Sequence, residues 1–106
     1  MTHRLDFAAA FAELSAAGQK ERTHALGGVH VRLVRVAAGG EGRWDRHDDG
    51  PETVIVWSGS FQVEFDDTTL VLGPGECCVV ANEAAHRGTS STGAEVVLFR
   101  GAGSGL

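Results

Sequence analysis

Four candidate metal ligands, Asp45, His47, Glu52 and His86, fall in two short stretches of this chain. The first is Trp44-Asp45-Arg46-His47-Asp48-Asp49-Gly50-Pro51-Glu52, and the second ends Asn82-Glu83-Ala84-Ala85-His86. If residues 43–47 are extended, Asp45 and His47 share a face, because side chains alternate along a strand. Glu52 follows a Gly-Pro turn and opens an apolar strand, and a hairpin there brings it back opposite that face. Two carboxylates and one imidazole at the end of a sheet are donors that hold a divalent cation at roughly 2.0–2.3 Å. His86 returns to the sheet about one strand after the Gly73-Pro74-Gly75-Glu76 turn. By spacing alone it is weak evidence, since a lone histidine after a loop is more often structural than a ligand. Glu52 could instead act as a base if it does not ligate. Arg43 shares parity with Asp45 and His47 and suits a substrate carboxylate; a solvated rim arginine is an equally good reading.

The elements that must position these groups are short. Residues 5–17 read as one helix, with Asp6 as its cap and Gly18 as its end. Leu5, Ala8, Ala9, Ala12 and Ala16 make one helical row, and Phe7, Phe11 and Leu14 make a second. Beyond the helix the pattern changes to period two and short apolar runs. Strands are expected over 29–36, 53–57, 60–65, 68–72, 76–81 and 94–99, with AAGGEG as a loop and glycine or Asp-Asp turns between them. With Glu52 facing inward, Val54 and Val56 face inward too, joined by Phe61, Val63 and Phe65. Trp44 and Arg46 then face outward, and Trp57 lies opposite Glu52. His30 shares a face with Arg32, which reads as a polar outer face. His24 is ambiguous, and His3 reads as solvated. Cys77 and Cys78 are adjacent, so they read as two small strand residues facing opposite ways rather than a disulfide or a zinc pair.

Taken together, the two stretches resemble the two motifs of the cupin superfamily. The second histidine of the first motif matches His47, its glutamate Glu52 and its closing glycine Gly59. Four residues separate His47 from Glu52, and six separate Glu52 from Gly59. The second motif, a Pro-Gly-acid turn, an apolar strand and a histidine, matches Pro74, Gly75, Glu76, the CCVVA run and His86. The resemblance covers roughly residues 29–99. It implies an all-β, single-domain fold, the double-stranded β-helix or jelly-roll barrel, with the short helix in front. The expected division is 1–18 helical segment, 19–100 barrel and 101–106 flexible tail. It also implies one divalent metal ion (iron, manganese, zinc or nickel) held by His47, Glu52 and His86.

The chain departs from the motif at one position, where Asp45 stands in place of the first histidine. Three readings stay open. Asp45 is a fourth ligand; or His47, Glu52 and His86 form a two-histidine, one-carboxylate triad of the kind suited to iron(II) with open positions; or the barrel has lost its metal. Cupins include dioxygenases, isomerases, decarboxylases, lyases and non-catalytic binding proteins. The resemblance therefore implies either a metal-dependent enzyme acting on a small polar organic molecule or a non-catalytic ligand-binding or metal-sensing barrel. Small cupins are often homodimers, so a two-fold dimer is expected.

Composition narrows the partners. The chain has 106 residues and a formal charge of −5, which fits one domain and argues against nucleic acid as a partner. No apolar run approaches the roughly 18 residues that a membrane span needs. No charged N-terminal segment precedes an apolar core, so a cytoplasmic location is expected.

Overall fold

The computed structural model describes residues 4–46, 48 and 50–101. Helix α1 spans Phe7–Ala16, and nine strands follow: β1 Glu21–Leu26, β2 Val29–Val36, β3 Gly40–Glu41, β4 Glu52–Gly59, β5 Phe61–Phe65, β6 Thr69–Leu72, β7 Cys77–Val80, β8 His86–Ser90 and β9 Ala94–Gly101. They form a five-stranded sheet in the order β1-β2-β9-β4-β7 and a four-stranded sheet in the order β3-β8-β5-β6. Every pairing is antiparallel. Two antiparallel sheets packed face to face are the expected jelly-roll barrel, and α1 adds a third layer on the outside of the larger sheet.

Alternation decides what each face buries. In β4 and β9 the inward set is Glu52, Val54 and Val56 with Ala94, Val96 and Leu98. These pack against Phe61, Val63 and Leu72 of the smaller sheet and Val80 of β7, and Phe65 is packed partly buried against this core. The outward set of the same sheet is also buried, because Val31, Leu33 and Val97 meet Ala10, Phe11 and Leu14 of α1. Burial at roughly 25 cal/mol per Å² on both faces makes the larger sheet the structural centre of the domain.

The helix is capped as its sequence suggests: the Asp6 carboxylate accepts from the Ala9 N–H at 3.1 Å. Its buried stripe is the row containing Phe11 and Leu14, with Ala10 beside Leu14. The other row turns outward, with Ala8, Ala9, Ala12 and Ala16 exposed. Side-chain size explains the choice, since only the Phe–Leu row carries enough apolar surface to cover Val31 and Leu33. The exposed Trp57 ring meets Phe7 edge-on at 5.6 Å.

Three expectations are corrected. His30 and Arg32 do not lie on an outer face. They share parity with Val34 and Val36, on the concave side of the sheet; α1 occupies the Val31–Leu33 side. The AAGGEG stretch is not wholly loop, because Gly40–Glu41 pairs with Thr89 and Ser90. Gly101 belongs to β9, paired with Val29; residues 102–106 of the expected tail, like His3, lie outside the described residues. Cys77 and Cys78 are free thiols on opposite faces of β7. Burial first, and then the neighbouring Cys77, push the Cys78 thiol above its ordinary range, which keeps it protonated.

Gly59 closes β4 for two physical reasons. Its φ is +80°, and a Cβ there would stand 2.1 Å from the Gly93 carbonyl oxygen. Gly59→Ala therefore strains the backbone and collides with backbone that has no flexible end to yield. The expected loss is about 2 kcal/mol or more, measured by urea unfolding; a loss under half of that would mean the β4–β9 corner is looser than described.

Candidate functional site

The polar site begins with one backbone pairing. Asp45 and His86 form an isolated antiparallel bridge: the Asp45 N–H donates to the His86 carbonyl at 2.8 Å, and the His86 N–H donates to the Asp45 carbonyl at 3.0 Å. Residues that exchange both bonds stand directly opposite, with side chains on the same face. The bridge therefore delivers a carboxylate and an imidazole side by side to the inner surface. Sequence reasoning set Glu52 opposite Asp45 in a hairpin; the residue opposite Asp45 is instead His86. Asp45 pairs with the smaller sheet through β8, whereas Glu52 opens β4 in the larger sheet opposite Val80.

All three line one cavity of about 350 Å³ between the sheets. Most of its wall is apolar, formed by Val34, Val36, Val54, Phe61, Val63, Val80, Val96 and Leu98. Asp45, Glu52, His86, Arg32 and Arg43 supply the polar part. The size and the mixture, an apolar hollow with a few polar groups, suit a small organic ligand. Glu52 is only 6% exposed, and the Arg100 guanidinium stands 3.9 Å from its carboxylate. A buried carboxylate needs compensation by charge or hydrogen bonds, and this long ion pair supplies part of it.

The imidazole is held in one orientation. His86 Nδ1 lies 3.0 Å from the Ala84 carbonyl oxygen. That oxygen can only accept, so Nδ1 carries the proton and, in the neutral ring, Nε2 carries the lone pair. A hydrogen bond of this kind orients metal-binding imidazoles. One oxygen of Asp45 accepts from the Arg46 N–H at 2.8 Å, and Arg46 Nε donates to the Glu83 carbonyl at 2.9 Å. The Gly50 N–H donates to Asn82 at 3.0 Å. The segment carrying Asp45 is thus fastened to the turn that precedes His86.

Two neighbours brace the frame around the cavity. Glu76 accepts from the Gly73 N–H at 2.7 Å and closes its own turn. Arg87 takes the outward parity, opposite Glu64 on β5, pairs with that carboxylate and lies 5.2 Å over the Trp44 ring. Among the described residues, no group of three or more His, Cys, Asp or Glu converges closely enough to hold a metal. His47, the fourth expected ligand, lies outside the described residues. Sequence reasoning missed Arg32, whose inward direction depends on which side of β2 the helix covers.

A family model described as a cupin domain matches residues 32–99. No curated protein matches the chain. Among solved structures, the chain is similar to a cupin-2 domain protein from Shewanella frigidimarina, at 24% identity and a TM-score of 0.79, over 92% of this chain and 93% of that one. It is also similar to a protein from Neisseria meningitidis, at 21% identity and a TM-score of 0.81, over 94% and 100% of the two chains. A protein of unknown function from Rhizobium leguminosarum matches at 19% identity and a TM-score of 0.74, over 96% and 98%. At these identities the likeness is one of fold.

The cavity wall has a tight contact that can be tested. A Cβ on Gly88 would stand 2.3 Å from the Phe61 ring. Gly88→Ala should cost about 1–3 kcal/mol by overpacking, and Phe61→Leu in the same chain should restore part of it. A thermal-unfolding double-mutant cycle reads this coupling. Additive losses would mean that the ring does not rest on Gly88.

Proposed function

The chain belongs to the cupin domain family, and from that premise we propose that it is a metal-dependent enzyme acting on a small polar organic molecule inside its barrel. Cupin domains commonly bind a metal ion. The residues here fit one by donor chemistry. His86 has its proton fixed on Nδ1, Glu52 is a buried carboxylate in the same wall, and Asp45 stands beside His86 with only one oxygen engaged by a described residue. Glu52 and His86, with His47 and Asp45, are the residues that would hold the ion. When bound, a divalent ion would supply Lewis acidity or oxygen activation.

This chain's own residues contribute the rest. The Ala84 carbonyl accepts from Nδ1 of His86 and so orients the ring, with the lone pair of the neutral imidazole on Nε2. The apolar wall from Val34 to Leu98 excludes water from a bound molecule and strengthens polar contacts made at its polar end. The observation that carries the reading is the Asp45–His86 bridge, which sets two ligand-type side chains on one face of a cavity that Glu52 also lines.

The metal content of untagged protein tests it. The expected result is near one equivalent of iron, manganese, zinc or nickel, lost in His86→Ala and in Glu52→Gln. Asp45→Asn keeps the backbone bridge, so metal affinity falling more than about tenfold in that variant assigns Asp45 as a ligand. Water exchange on the manganese-loaded protein supports turnover, and a closed tetrahedral site supports binding or sensing instead. A wild-type protein that carries no metal and takes none up overturns the proposal.

A further inference from the structure

One cation in the cavity wall forms no ion pair with a described carboxylate. Arg32 sits at the middle of the concave face, opposite Thr23 on β1 and Leu98 on β9. Its Nε is fully buried and makes no hydrogen bond. No carboxylate among the described residues forms an ion pair with it; Arg87 is paired with Glu64, and Arg100 stands 3.9 Å from Glu52. A buried guanidinium N–H without an acceptor is costly, because it has surrendered water and gained nothing. The fold nevertheless carries it at the junction of the main cavity and a second, smaller hollow of about 270 Å³, which Glu21, Glu52 and Arg100 also line.

We infer that Arg32 is the anchor for the carboxylate of a small organic acid whose hydrocarbon body fills the main cavity. Three features select that class. A guanidinium presents paired donors that match a carboxylate. The wall beyond Arg32 is apolar, with Val34, Val54, Phe61, Val96 and Leu98, so it accepts a hydrocarbon and disfavours a second charge. Arg43, exposed on the opposite lip, adds positive potential at the entrance. Across β9, Arg32 and Val54 stand level with each other on either side of Leu98. Arg32 and Val54 are therefore about two strand spacings apart, roughly 9–10 Å, and Glu52 lies two residues further along β4. An acid held at Arg32 would extend toward the Glu52 end rather than lie on it.

The inference rests on the same cavity as the proposed function and names its substrate class. The test measures hexanoate and benzoate against hexanol and benzyl alcohol by calorimetry, on metal-free and on manganese-loaded protein, with inorganic phosphate as a further arm. The expected result is acid binding with or without metal, about tenfold to a hundredfold tighter than the alcohols. Phosphate should not compete. In Arg32→Gln the preference should vanish, while the variant unfolds at no lower temperature, because it relieves an unsatisfied buried donor. Three results overturn the inference: equal affinity for acid and alcohol, no binding of either, or competition by phosphate. Acid binding that needs manganese and survives Arg32→Gln also overturns it, and leaves the metal reading intact. Protein that binds acids through Arg32 but takes up no metal does the reverse.

Discussion

The polar site depends on two backbone hydrogen bonds, those that Asp45 and His86 exchange. They set the register in which the segment between β3 and β4 lies along β8, so that a carboxylate and an imidazole separated by forty residues of chain share a face. The pairing fixes parity as well as proximity. Asp45 and His86 turn inward; their neighbours Trp44 and Arg87 turn outward and stack on each other. The same strand order pairs Arg87 with Glu64, so the outer ion pair and the inner ligand-type pair are two consequences of one register.

The larger sheet makes this possible. It is buried on both faces, by the barrel core on one side and by α1 on the other. Apolar burial on two faces supplies stability that a cavity of about 350 Å³ takes away. The polar groups at one end are then tolerated in proportion to how well they are matched. His86 has its carbonyl and Glu52 has Arg100 at long range, whereas Arg32 carries an unmatched buried N–H. A site that is incompletely satisfied within the fold is what a ligand-binding barrel requires, because the ligand completes it.

Much of this was legible in the residues. Period-two alternation marks β2 and β5, short apolar runs mark β4 and β9, and parity gives the inward set from Glu52 to Val56. The Glu52-to-Gly59 spacing matched a strand that starts on a buried carboxylate and ends on a glycine with positive φ and no room for a Cβ. What was not legible has physical causes. β8 reads His-Arg-Gly-Thr-Ser and has no apolar period, because its inner face gives way to the Phe61 ring at Gly88. The partner of Asp45 is decided by sheet order, which local spacing does not encode. The two faces of β2 were correctly told apart, but only the helix decides which is inward, and so Arg32 was assigned outside. The choice of the Phe11–Leu14 row over the alanine row likewise required knowing what the helix packs on.

The central proposal is that Glu52 and His86 hold a divalent ion at one end of the cavity. Anomalous diffraction from crystals soaked in manganese tests it most directly. The account predicts one strong peak inside the cavity, bonded to the Glu52 carboxylate and His86 Nε2 at roughly 2.0–2.3 Å. A cavity without a peak, or an ion bound elsewhere and touching neither residue, would contradict it.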